Sequence, residues 1–316
     1  MAKLLLTILQ VNNTMAKQKS TSFAKISLFL TLALLGCAEE DGITAQQGKI
    51  MFDDFNYESS TDPILGNFGW TVRTGRGGPG ESGTTWLEEN IDFIDDEVIP
   101  DNKLLRLTST TNGAGRNTYQ AEIYHPQTYL EGTYAARIHF FDSPSEGIDG
   151  DEVNQTFFAI STLDYPLDSN YSELDFAEYL PNGGWGSGEP TFWMTSWETY
   201  QNSPYIQDSK TDEIDESFEG WHTVSATVGN GEIKYYIDGI LRATHDGEYF
   251  PEQDMSITFN LWFIAGRLLD DTSTRSYQEL VDWVYFSEDL EIDHTQIENK
   301  VTELRQKDII RIDDFK

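Results

Sequence analysis

A single cysteine, Cys37, in a chain of 316 residues excludes any intrachain disulfide. Basic residues are also scarce: 21 Lys and Arg stand against 54 Asp and Glu, giving a net charge of −33. So acidic a chain offers phosphate no basic patch and is a poor partner for nucleic acid. The same field disfavours highly sulfated polysaccharides unless a cleft carries its own positive charge. The five histidines show no pair at metal-ligand spacing, so His222 reads as structural. No G-x-S-x-G elbow accompanies Ser196 or Ser225, which leaves a serine-hydrolase triad with a distant His without support. The glycines between Gly66 and Thr85 lack the strand–helix context and Lys-Ser/Thr pair of a phosphate cradle.

Aromatic residues, by contrast, are plentiful. They make up 13% of the chain, with 8 Trp and 15 Tyr, and their flat faces suit both core packing and sugar rings. Short β-prone runs separated by turn residues recur at 103–108, 119–124, 132–140, 156–161, 221–227, 232–239, 256–263 and 280–286. With no long helical period among them, they predict an all-β sandwich of two antiparallel sheets. The stretch from Gly66 to Thr85 has neither period and reads as loop at the rim of a cleft. Ile297, Val301 and Leu304 recur at helical spacing, predicting a short helix near 296–306 docked on the outside.

The stretch Tyr171-Ser172-Glu173-Leu174-Asp175-Phe176-Ala177-Glu178-Tyr179-Leu180 places three carboxylates within six residues. On a strand, Glu173 and Asp175 share one face while Leu174 turns to the other. Strict alternation sends Glu178 to the wrong face. One extra residue, a β-bulge around Phe176-Ala177, restores it and leaves Leu174 with one of Phe176 or Ala177 in the core. Three acids in a row repel one another and raise at least one pKa, which serves stability poorly. Such a set suits retaining glycoside hydrolysis, which pairs an ionised nucleophile with a protonated acid about 5–5.5 Å away. The two Glu Cα atoms would lie roughly 13 Å apart, a gap that long side chains can narrow.

At these residues the chain resembles glycoside hydrolase family 16, whose E-x-D-x-(x)-E motif lies on a bulged strand of a β-jelly roll. The resemblance implies that Glu173 is the nucleophile, Glu178 the acid/base, and Asp175 the middle acid that hydrogen-bonds the nucleophile. It extends over residues 50–286 through Gly132-Thr133-Tyr134-Ala135-Ala136-Arg137, the Tyr236-Ile237-Asp238-Gly239 hairpin and the closing strand Val281-Asp282-Trp283-Val284. A neutral β-glucan such as laminarin is favoured over a β-galactan on charge. The alternatives are a lectin-like carbohydrate-binding protein or a transglycosylase on the same fold. Trp185, on a Gly-rich loop, is expected at the cleft rim. Trp193 and Trp197 would flank the carboxylates, only one of them touching sugar, and Asn260 and Trp262 share a face that could reach the cleft. No organic cofactor is required. The family also suggests a structural calcium at Asp282 with a backbone carbonyl near Asp53, against no metal at all; Asp53 and Asp54 are expected near the surface, with Phe52 and Phe55 packed inside.

Before the fold, Lys17, Lys19 and Lys25 precede an apolar run from Ile26 to Leu35 that is too short to span a bilayer. It ends in Leu34-Leu35-Gly36-Cys37, which resembles a bacterial lipobox with Cys37 as the lipidated residue. The expected organisation is therefore a signal peptide at 1–36 (with Met15 an alternative start), a tether at 37–48, the sandwich at 49–290 and a partly helical extension at 291–316. Together these describe an exported, monomeric lipoprotein anchored to the cell envelope.

Overall fold

The computed structural model describes residues 48–185, 188–290 and 293–316; Cys37, the signal segment and the tether up to residue 47 lie outside the described residues. Two antiparallel sheets face each other. In the first, the spatial order is Thr71–Val72, Tyr119–Tyr129, Met255–Phe263, Val153–Ile160, Glu173–Leu180, Thr191–Asn202 and Tyr205–Ile214. In the second it is Ile91–Asp95, Lys103–Thr111, Arg275–Ser287, Gly132–Phe140, Gly220–Gly229, Glu232–Ile237 and Ile240–Asp246. Ile50–Asp53 pairs with the far half of Arg275–Ser287, and Arg311–Asp313 lies outside it. A Thr110–Tyr119 pairing joins the two sheets at one corner.

Period-two patterning explains the layering. Ile233, Tyr235 and Ile237 are buried on one strand while Glu232, Lys234 and Tyr236 alternate with them at the surface side. Between the sheets, Phe157 stacks on Phe259 with ring centres 5.0 Å apart, and Phe176 packs against Phe157 at 4.9 Å and Tyr134 at 4.8 Å. Each such ring contributes about 1.5–3 kcal/mol by burial. Close approach is also written into the sequence: a Cβ on Gly132, whose φ is +151°, would stand 2.2 Å from the Ser287 carbonyl oxygen.

The stretch 66–85 is more ordered than a loop. It holds the end of a helix, Pro63–Phe68, and the short strands Thr71–Val72, Gly75–Arg76 and Thr85–Trp86, the last running parallel to the start of Tyr119–Tyr129. The predicted C-terminal helix is His294–Gln306, capped by the Asp293 side chain on Thr295 N at 2.8 Å. It buries Ile297 and Val301 against Ile50, Phe52, Trp283 and Tyr285 on the outer face of the second sheet. No helix among the described residues is long and apolar enough to cross a membrane.

Candidate active site

The bulge falls where the alternation argument requires it. Asp175 pairs with Thr195 and Glu178 with Trp193, so Phe176 and Ala177 together oppose the single residue Met194. On the other side, Asp175 pairs with Phe158 and Ala177 with Phe157, leaving Phe176 as the extra residue. Both Phe176 and Ala177 are fully buried with Leu174 and Tyr179, not just one of the pair. Glu173, Asp175 and Glu178 all line a cleft of about 890 Å³ over the first sheet.

Each carboxylate accepts from a neutral side chain. The Tyr171 hydroxyl donates to Glu173 Oε2, Trp197 Nε1 to Asp175 Oδ2 at 2.8 Å, and Asn154 Nδ2 to Glu178 Oε1 at 2.8 Å. Burial outweighs these donors. It pushes Glu173 up to about 7, with repulsion from Glu178 adding to it and the Tyr171 bond opposing. Glu178 is likewise raised to about 7 by burial, against the Asn154 and Thr195 bonds. Asp175 is raised furthest, well above the carboxylate range, by burial and then by the charges of Glu178 and Glu173. The trio therefore shares protons around neutral pH and is not fully ionised there.

Arg73 is the one Lys or Arg among the cleft-lining residues, and it is engaged elsewhere. Its guanidinium meets Glu122 Oε2 at 2.9 Å and the Gly78 carbonyl at 2.7 Å, and it lies 4.3 Å over Trp86. Glu122 also accepts from Asn260 Nδ2 at 3.3 Å, and Asn260 Oδ1 accepts from the Thr156 hydroxyl at 2.6 Å.

Trp185, Trp193, Trp197, Asn260 and Trp262 all line the same cleft, so both Trp193 and Trp197 reach it. Tyr171, Asn154, Glu122, Arg73 and Tyr205 were given no role by the sequence. Tyr171 was within reach of it, since it shares the face of Glu173 and Asp175 by simple alternation. The others are brought in by strand register between distant segments.

Two other constellations are structural. Ser196 Oγ lies 2.8 Å from His245 Nδ1, and His245 Nε2 lies 2.9 Å from Asp212 Oδ2, the connectivity of a serine-hydrolase triad. Ser196 is wholly buried on the core side, however, and its oxygen also meets the Tyr235 hydroxyl at 2.6 Å. No substrate can reach it, and the group pins the edges of the two sheets together. His222 is paired with Asp238 at 2.7 Å.

The two residues raised for a structural calcium, Asp282 and a carbonyl near Asp53, have protein partners in place. Asp53 turns into the core, where it accepts from Tyr57, from Trp70 Nε1 at 2.7 Å and from Phe55 N at 2.8 Å. Asp54, on the opposite side, is the residue beside Asp282, and both are buried rather than near the surface. The cation between them is the guanidinium of Arg305, which donates to Asp54 Oδ1 and, at 2.7 Å, to Asp282 Oδ1. Asn102 Nδ2 adds a bond of 2.8 Å to Asp282. Among the described residues, no group of three or more His, Cys, Asp or Glu is arranged to hold a metal ion.

No protein-family model and no curated protein matches the chain. Solved structures do. A Bacillus licheniformis β-glucanase is similar at 19% identity and TM-score 0.53, over 77% of this chain and 99% of that one. A glycoside hydrolase family 16 endo-glucanase from Bacteroides ovatus gives 19% and 0.55 over 74% and 98%. The kappa-carrageenase of Zobellia galactanivorans gives 17% and 0.53 over 78% and 96%. At these identities the likeness is one of fold: the chain is built as the β-jelly roll of the glycoside hydrolase family 16 structures.

Proposed function

We propose that the protein is a retaining, endo-acting glycoside hydrolase that cleaves a β-linked polysaccharide, with a neutral β-glucan such as laminarin as the preferred class. The observation that carries this reading is the acid trio on a cleft floor, with neutral donors and no Lys or Arg paired to it among the described residues. Glu173 attacks the anomeric carbon as the glycosidic C–O bond breaks, and Glu178 gives its proton to the departing oxygen. Water then adds to the glycosyl–Glu173 ester, losing its proton to Glu178 and freeing the Glu173 carboxylate. Asp175, raised furthest by burial, stays protonated, so that Glu173 need not ionise beside two other charges. Preference for a neutral chain is supported by the engagement of Arg73 with Glu122, which leaves the cleft floor acidic. The lipobox-like Cys37 and the acidic residues after it support export and anchoring by a lipid; replacing Cys37 with Ser is expected to abolish palmitate labelling.

The test is release of reducing ends from laminarin, mixed-linkage β-glucan, agarose and kappa-carrageenan. Cleavage of a β-glucan, lost in Glu173→Gln, is expected. Binding without cleavage would make the protein a lectin, and products longer than the substrate would make it a transglycosylase.

A further inference from the structure

Three indoles meet on the Glu178 side of the cleft. Trp185 stacks on Trp193 with ring centres 5.0 Å apart and planes at 28°, and leans on Trp262 at 5.9 Å and 58°. Trp193 and Trp262 stand on strands separated by the two that carry Asn154 and Glu178, so Trp185 bridges across both. Its backbone is in the left-handed region, with φ +45°, a costly conformation for a bulky side chain that tends to persist where function uses it. The loop is anchored at its base: Asn182 Nδ2 donates to Asp149 Oδ1 at 2.8 Å and to the Asp151 carbonyl at 3.1 Å. Asp151 in turn forms a wholly buried ion pair with Arg275.

A sugar ring stacks on an aromatic face at about the separation of two stacked rings, so one indole face cannot hold both. One face of Trp193 is already covered by Trp185. Trp193 Nε1 is buried away from the open cleft. Trp185, by contrast, is 47% exposed. We propose that Trp185 alone presents the sugar-stacking face on the Glu178 side, with Trp193 and Trp262 as its supports, which makes it the specificity-determining residue of that wall. This rests on the reading of the cleft as a glycan site.

The test uses the Glu173→Gln protein, which holds polymer without cutting it, in native gels containing laminarin, mixed-linkage β-glucan, agarose or kappa-carrageenan. Trp185→Ala is expected to weaken retardation roughly tenfold, the order of one lost aromatic contact face. Trp185→Phe is expected to recover most of it, and Trp193→Phe, which keeps a flat ring beneath Trp185, to cost less than about threefold. Circular dichroism of the coupled indoles checks that the Trp185–Trp193 stack exists and is lost in Trp185→Ala with the fold retained. Full retardation in Trp185→Ala, or a greater loss in Trp193→Phe, overturns the platform and leaves the glycan reading standing. Retardation by no polymer overturns the glycan reading itself.

Discussion

Two clusters of buried acids can be set side by side in this protein. Beneath the C-terminal helix, Asp54 and Asp282 share the guanidinium of Arg305, and Asp282 also takes an amide from Asn102. In the cleft, Glu173, Asp175 and Glu178 have a phenol, an indole N–H and an amide, and no cation pairs with them among the described residues. Burial lifts Asp54 to about 6 even with Arg305 in place, and it lifts Glu173 and Glu178 to about 7. Acids that serve packing bring their counter-charge with them, here from some 250 positions along the chain. Acids left with neutral donors keep their protons and remain able to give and take them, at a cost to stability.

Removing the charge that repels should therefore harm activity and spare the fold. Glu173→Gln is expected to lower turnover on the responsive polymer by about 10⁴-fold, with a melting temperature equal to or above that of the parent. A fall in both would put the cleft acids in the same class as the helix-side pair. The converse substitution, Arg305→Leu, strands two buried carboxylates and should cost about 3 kcal/mol in urea unfolding. Turnover at the optimum should stay near that of the parent, and unchanged stability would remove Arg305 as the counter-charge.

Acidity separates the clusters more finely. Carboxyls raised above their unfolded values of about 4 bind protons more tightly in the folded chain. The stability they contribute is complete below about pH 4 and is lost as pH rises, through about 6 at Asp54 and about 7 at the cleft glutamates. Glu178→Gln should diminish the loss nearer pH 7, and Asp54→Asn the one nearer pH 6, as followed by melting temperature against pH. Turnover should also decline above about pH 7 as Glu178 gives up its proton. The smallest effect expected is from chelation: with Arg305 between Asp54 and Asp282, EDTA should move the melting temperature by less than about 1 °C.

What could be read from the sequence was local. The order of Glu173, Leu174, Asp175, Phe176, Ala177 and Glu178 forces a bulge, because both the acids and the hydrophobic residues need a consistent face. Ile297 and Val301 likewise announced their helix. What escaped depends on register between distant strands. Nothing near Asn154 says that it will meet Glu178, and nothing in Ser196, Asp212 or His245 foretells their alignment across the sandwich edge. The partners of the Asp53-Asp54 pair escaped for a related reason. Asp53 and Asp54 are neighbours in sequence but face opposite ways, and the cation that reaches Asp54 comes from the far terminus.

The most direct test is proton NMR of the first reducing ends released from the polymer that the protein cuts. Displacement by Glu173 followed by water places the nascent hydroxyl in the β configuration, before mutarotation mixes the anomers. A β anomer appearing first is the predicted result. An α anomer appearing first would contradict the account, as would the release of no ends from any polymer by a protein with all three acids intact.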